Sequence, residues 1–106
     1  MGNSEVREMM YRSPKLLAAA KDAPVCFGCQ RTNSGDVVAA HSNQLRDGKG
    51  RGLKADDFRV AFICGSCHHE LDQGTKWNRA ERVAFFEEAH RNTIGWLFKS
   101  GKVVVK

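Results

Sequence analysis

The sequence predicts an α+β fold in which two short strands, a short helix and a long C-terminal helix surround a metal-binding cluster. Two apolar runs at 37–41 and 58–63 have the length and composition of strands, and apolar residues recur at helical spacing near the C-terminus. All four cysteines fall into two C-x-x-C pairs, Cys26 with Cys29 and Cys64 with Cys67. A chain of 106 residues buries a small core, so a structural metal is expected to supply part of its stability.

We expect one domain over residues 1–106, with three parts. Residues 1–12 show no clear hydrophobic period and are expected to form a loose lead-in. Residues 13–76 carry both cysteine pairs and should form the zinc-binding core. Residues 77–106 should form a long helix followed by a short strand.

The core begins with a short helix and the first cysteine pair. Ser13 is expected to cap this helix, and Pro14 suits its first position. Pro24 ends it, because the residue before a proline is pushed out of the α region. The chain then enters the first C-x-x-C pair, where Gly28 is expected to permit a tight turn.

A strand, a loop, a second strand and a helix follow, in the order ββα. The first strand is predicted over 37–41, and its last residue is a histidine. A basic, glycine-rich loop at 42–57 leads to the second strand, predicted over 58–63. The second cysteine pair comes at the end of that strand, and a short helix is predicted over 67–72.

The longest helix is predicted to begin after Asn78, which with Glu81 forms a capping-box pattern. It should continue to about Lys99, with one apolar face packed on the ββα unit. Gly101 is a plausible helix stop, and the valine run at 103–105 is predicted to add a short terminal strand.

The cysteine spacing predicts a structural Zn²⁺ site, because four soft thiolates satisfy tetrahedral zinc. A redox dithiol is an alternative, but it usually needs one C-x-x-C pair in a βαβ context, which this chain lacks. The stretch from Cys64 to His68 also matches the c-type haem attachment pattern. That alternative leaves Cys26 and Cys29 without a role.

The compartment follows from the chain's amino terminus and its hydropathy. The first residues have mixed charge and no apolar run, so no secretory signal is predicted. The cysteines are therefore expected as thiolates in a reducing cytoplasm. No stretch approaches membrane-spanning length, and no membrane partner is expected.

His68 and Asp72 are spaced four residues apart, so their side chains should meet on one face of the short helix. An imidazole and a carboxylate suit a divalent ion such as Mg²⁺ or Mn²⁺ that keeps open water positions. The alternative is that His68 donates to the zinc thiolates and Asp72 is a surface charge. His41, at a strand end before a basic loop, could take a proton from water as a general base.

The loop between the strands is predicted to contact a phosphodiester backbone. Its basic residues alternate with glycines, so the loop can lie close to phosphates without reading base sequence. These residues are Arg46, Lys49, Arg51 and Lys54. The net charge of +5, from 17 Lys and Arg against 12 Asp and Glu, is compatible with a DNA partner. An ordinary solvated connection is the alternative for this loop.

Together, the cysteine pairs, Ala40-His41 and Cys64-x-x-Cys67-His68 resemble the zinc-containing HNH (His-Me finger) endonucleases. The stretch from Phe62 to Asp72 more narrowly resembles the YbcO-like family of small prophage-encoded proteins classed as nucleases. The resemblance covers roughly residues 15–75. It implies a ββα-metal fold, with His41 as general base, His68 on the catalytic metal and the cysteines on zinc.

The chain departs from the HNH pattern at two places. Ala40 stands where these enzymes commonly carry an Asp or His as a further metal ligand, so the catalytic ion would be held by His68, Asp72, water and substrate. The Asn expected shortly before the second strand is missing, and Asp56 or Asp57 occupies that region. The residue that orients the base is therefore left open.

The predicted function is a metal-dependent endonuclease, encoded by a phage or prophage, that hydrolyses phosphodiester bonds in DNA. The resemblance implies Zn²⁺ as structural ion and Mg²⁺ or Mn²⁺ as catalytic ion. The alternative is a non-catalytic zinc module that binds nucleic acid or a partner protein. Such a module would share the thiolate site but would have no use for His41, His68 or Asp72.

Overall fold

Two antiparallel strands lie at the centre of the structure, a computed structural model that describes residues 10–47, 49–50 and 53–106. Strand β1 (Val37–His41) pairs with β2 (Val60–Cys64), so that Val37 lies opposite Cys64 and His41 opposite Val60. Helix α2 (Gly65–Gln73) follows β2 directly. The predicted α+β class and the order strand, loop, strand, helix are confirmed.

Every residue of β2 is buried, and helix α3 (Arg79–Lys99) packs against the strand. The contact includes polar groups, since the Phe62 amide donates to Thr93 Oγ1 at 2.9 Å. The strand begins two residues later than the predicted Phe58. The reason is a turn, in which the Arg59 amide donates to the Asp56 carbonyl at 2.9 Å.

The N-terminal segment forms helix α1 (Pro14–Ala18), which continues as a 3₁₀ turn over Ala19–Asp22. The Ser13 side chain accepts from the Leu16 amide at 3.2 Å, so the predicted cap is confirmed. The lead-in predicted for residues 1–12 lies outside the described residues over positions 1–9.

Both ends of α3 follow the predicted local signals. Asn78 accepts from the Glu81 amide at 2.8 Å and the Glu81 side chain accepts from the Asn78 amide at 2.9 Å, which completes the capping box. Gly101 adopts φ +80°, as expected of a helix stop. The predicted strand at 103–105 is wrong. The Val103 amide instead donates to the Leu97 carbonyl at 3.0 Å, and the next two valines are exposed.

Along the described part of the chain, none of the helices combines the length and the apolar character needed to cross a lipid bilayer.

Candidate active site and metal centre

The four cysteines lie in one cluster, although the two pairs are distant in sequence. The Sγ atoms of Cys26 and Cys67 are 3.8 Å apart, and those of Cys29 and Cys64 are 4.0 Å apart. All four sulfur atoms lie within 4.8 Å of one another, and none forms a disulfide. Tetrahedral zinc with bonds of about 2.3 Å separates its sulfur ligands by about 3.8 Å. The cluster can therefore hold a metal ion such as zinc, and it uses all four thiols at once.

The first cysteine pair is shaped by backbone amides that point at sulfur. The amides of Gly28, Cys29 and Cys64 donate to Cys26 Sγ at 3.3, 3.4 and 3.2 Å. Burial raises the pKa of the Cys26 thiol, but these donors outweigh burial and lower it to about 7. Burial also raises the pKa of Cys67, and the neighbouring sulfurs raise it further. A bound cation would lower the pKa of each thiol and so favour the thiolate form at all four cysteines.

The first cysteine pair contains the predicted turn, which the Gln30 amide closes by donating to the Cys26 carbonyl at 2.8 Å. Gly28 does not have a positive φ, and Gln30 takes the left-handed conformation with φ 67°. Gly28 is instead a point of close approach, because a Cβ there would overlap the ring of Phe85. The predicted tight turn at Gly28 is therefore confirmed, and the small size of this residue also serves helix packing.

Helix α2 brings a histidine and a carboxylate back towards the His41 end of the sheet. Strand β2 runs away from His41, so a helix that starts at Gly65 and reverses direction returns along the sheet. Asp72 accordingly accepts from Asn43 Nδ2 at 3.3 Å, close in sequence to the end of β1. His68 Nε2 lies 3.0 Å from Asp72 Oδ2. The predicted meeting of the His68 and Asp72 side chains is confirmed.

His41 is fixed by a buried carboxylate. Its Nε2 lies 2.8 Å from Asp57 Oδ1, and the Asp57 side chain is only 3% exposed. The second carboxylate oxygen of Asp57 accepts from the Ser13 amide at 2.6 Å, and the Arg12 guanidinium lies 3.5 Å from Oδ1. Arg12 also donates to the carbonyls of Ala55 and Lys54, which connects the N-terminal segment to this loop. The residue that orients His41 is therefore Asp57.

The environment of Asp57 determines its charge. Burial raises the pKa of this carboxyl, but the bonds from His41 and Ser13 and the charges of His41 and Arg12 lower it below its usual value. Asp57 is thus ionised at neutral pH and accepts a hydrogen bond from the His41 Nε2–H.

We expect this lowered pKa to make folding stability depend on acid pH. A carboxyl whose pKa is lower in the folded state stabilises the fold above its unfolded pKa, and this contribution disappears as pH falls through the folded pKa. The free energy of unfolding, measured by urea titration, should therefore fall more steeply below about pH 4 in the parent protein than in Asp57→Asn. Equal slopes in the two proteins would contradict the assigned role of the Asp57 carboxylate.

His41 and Asp72 line the same cavity, which has a volume of about 430 Å³. Asn43 lies between them, and Arg79 and Arg82 close the cavity from the first turns of α3. His68 contacts Asp72, which lines the cavity. The arrangement places an oriented imidazole, the carboxylate of the candidate metal-binding pair and two guanidinium groups around one space, with His68 behind the carboxylate.

The basic loop is less free than the sequence suggested. Arg46 donates to Glu87 Oε1 of α3 at 2.7 Å, and Gln44 donates to the same oxygen at 2.7 Å. Lys54 is exposed and Lys49 half-buried, and Arg51 lies outside the described residues. The loop residues stay predicted DNA contacts, but Arg46 would have to leave Glu87 to make one.

Sequence reasoning missed three of the side chains described above. The sequence places Arg79 and Arg82 in the predicted long helix without a functional role, and it places Asp57 with Asp56 where the HNH pattern has an Asn. The sequence does carry a signal for Asp57. This residue lies three positions before Val60, which is the first residue of β2 and pairs with His41 in the sheet. The two arginines carried no comparable local signal.

Comparison of the chain with protein-family models, with curated proteins and with solved structures finds no match. The function is therefore inferred from the site itself.

Proposed function

We propose that the protein is a metal-dependent endonuclease that hydrolyses phosphodiester bonds in DNA. One observation carries the proposal: His41, held by the buried Asp57, lines the same cavity as Asp72, whose carboxylate meets His68 at 3.0 Å. Hydrolysis of a phosphodiester needs a base for water and positive charge for the phosphate, and these groups offer both around one space.

His41 acts as the general base. Since the Asp57 carboxylate accepts from Nε2–H, the neutral ring carries its proton on Nε2 and leaves Nδ1 free to take a proton from water. Asp57 also stabilises the imidazolium that forms when the water proton arrives. It thereby replaces the orienting role of the Asn that the HNH pattern places before the second strand.

His68 and Asp72 are the proposed ligands of the catalytic ion. Their nitrogen and oxygen atoms are 3.0 Å apart, and two adjacent ligands of an octahedral ion with bonds of about 2.1 Å are separated by about 3.0 Å. A Mg²⁺ or Mn²⁺ ion there would stabilise charge on the phosphate and the leaving 3′ oxygen. Asn43 positions Asp72 by donating to its other oxygen.

The four-cysteine cluster is proposed as a structural Zn²⁺ site. Four thiolates fill a tetrahedral shell and leave no open position for substrate, which is the pattern of structural rather than catalytic zinc. Two of the thiolates lie at the start of α2, so the ion would fix the helix that carries His68 and Asp72. Thiolate ligands also fit the reducing cytoplasm expected for this chain.

Binding of Mn²⁺ to zinc-loaded protein tests the second metal site. We expect Asp72→Ala and His68→Ala to weaken Mn²⁺ affinity by about tenfold or more in calorimetric titrations, because each removes one of two protein ligands. Their zinc content should stay at the parent value. His69→Ala is the matched control, since this exposed neighbour on α2 does not line the cavity.

The same titrations separate the enzyme from its main alternative, a non-catalytic zinc module. Such a module would bind zinc and keep DNA or protein affinity, but its Mn²⁺ affinity would not change in Asp72→Ala. An unchanged Mn²⁺ isotherm in that variant, together with plasmid DNA that stays uncut in Mg²⁺ or Mn²⁺, would contradict the nuclease proposal.

A further inference from the structure

The cavity beside His41 has more room and a more mixed lining than a phosphate group requires. Its volume of about 430 Å³ lies in the range of small-molecule pockets. A phosphate that is bound only by a metal ion and a general base would need an open polar surface. The remaining space must therefore suit another part of the substrate.

One wall of the cavity is apolar. Leu71 of α2 and Val83 and Phe86 of α3 line it, and Leu71 and Phe86 are the edge of the hydrophobic core. Phe86 is held in place by stacking on His90, with ring centroids 6.0 Å apart and planes 7° apart. Apolar and aromatic side chains of this kind bind nucleobases through their faces, and they do so with any base.

The lining next to this apolar wall, on the same face of α3, is cationic. Arg79 and Arg82 line the cavity, and within the part of the chain that the structure describes neither forms an ion pair with a carboxylate. Arg82 is positioned by donating to the Gly74 carbonyl, and its buried Nε has no hydrogen-bond partner among the described atoms. Arg82 as a whole is half-buried and Arg79 is exposed, so their outer nitrogen atoms can meet a ligand, and planar guanidinium groups match phosphate oxygens.

We propose that this cavity takes one unpaired nucleotide of a DNA strand, with its base against the wall of Leu71, Val83 and Phe86 and its phosphate on Arg79 and Arg82. The inference rests on the proposed function and names its substrate class. A base within an intact duplex is paired and stacked, so it enters such a cavity only after unpairing, which costs free energy. The preferred substrates are therefore single strands, bulges and frayed ends.

Equilibrium binding tests this preference without any cutting. The full-length, zinc-loaded protein is titrated into a fluorescent single-stranded oligonucleotide, into the same sequence as a blunt duplex, and into that duplex with one bulged nucleotide, without added Mg²⁺ or Mn²⁺. We expect the single strand and the bulge to bind about tenfold tighter than the blunt duplex, because they avoid unpairing. Equal affinity for all three overturns the proposal.

Filling the cavity provides a second test. Val83→Phe places an aromatic ring in the space without changing charge, so it should abolish the preference for the single strand and leave duplex affinity within about twofold. Ala84→Phe is the matched control, because Ala84 is the next residue on α3, exposed, and lines a different surface. Both variants should retain the parent melting temperature within a few degrees. A Val83→Phe protein that is folded and keeps the parent preference overturns the proposal.

The arginine wall is tested through salt dependence. Arg79→Gln should weaken single-strand binding about tenfold and reduce the slope of log affinity against log salt by about 0.7, the value for one lost phosphate contact. Arg91→Gln is the control, since it makes the same charge change on α3 but faces away from the cavity. Equal salt slopes in the two variants would remove Arg79 from the binding site.

Failure of this inference differs from failure of the proposed function. A protein that cuts duplex plasmid with a requirement for His41, but binds all three DNA forms equally, retains the nuclease activity and loses only the unpaired-nucleotide preference. A protein that prefers single strands but cuts no DNA loses the nuclease activity and retains the binding site.

Discussion

Replacement of His41 by alanine is expected to slow metal-dependent plasmid nicking by about 10²- to 10⁴-fold, the usual contribution of a general base. In the proposed mechanism the imidazole takes the proton from water, and it is aligned by its 2.8 Å contact with Asp57. The measurement is the initial nicking rate at saturating Mn²⁺, with zinc content and DNA affinity determined in parallel. Zinc content should not change, because His41 is not one of the four clustered cysteines.

Two further variants make this result specific. Asp57→Asn should also nick much more slowly than the parent. Its amide can donate to His41 Nε2 and so favour the tautomer that carries the proton on Nδ1, which cannot act as the base. His69→Ala, an exposed histidine on α2, should nick at the parent rate. A His41→Ala protein as fast as the parent would remove His41 from the mechanism, whatever the other variants show.

Loss of the proposed structural zinc ion is expected to unfold the protein. A structural zinc site contributes about 10 to 16 kcal/mol on binding, whereas a small domain has a net stability of about 5 to 15 kcal/mol. Cys67→Ser removes a buried ligand, and a strong chelator removes the ion itself. Both should abolish cooperative thermal unfolding, as measured by circular dichroism.

Trp96 gives a local readout of the same event. Its ring lies 5.8 Å from that of Phe27, which is inside the first cysteine pair, and 6.2 Å from Phe62 of β2. Zinc removal should therefore change tryptophan fluorescence, and added zinc should restore it. Ser66→Ala is the matched control, because Ser66 lies between two cysteines, is exposed and carries no ligand atom. Chelated protein with the parent melting curve would contradict a structural role for zinc.

The sequence predicted the features that depend on neighbouring residues. Three confirmed features involve groups within a few positions of one another. They are the Ser13 cap, the capping box at Asn78 and the end of β1 at His41. The meeting of His68 with Asp72 is of this kind, because a helix brings residues four apart together. Such signals are readable without any knowledge of tertiary structure.

The features that the sequence did not predict depend on distant contacts. Asp57 reaches His41 across 16 positions, and Arg46 meets Glu87 across 41. Both contacts require the loop between the strands to fold against α1 or α3, which no local pattern specifies. The valine run at 103–105 has strand composition, but an edge partner is required for a strand, and the chain offers these residues none within the described part.

In the proposed mechanism, His41 and the pair His68 and Asp72 act on the same phosphodiester. Single-turnover cutting by the parent, His41→Ala, His68→Ala and the double variant shows whether they do. If the two groups serve one step, each single variant should lose most of the activity and the double variant should be little slower than either. If instead the losses of the two single variants multiply in the double variant, or the double variant cuts as fast as the parent, the account of one shared site is wrong.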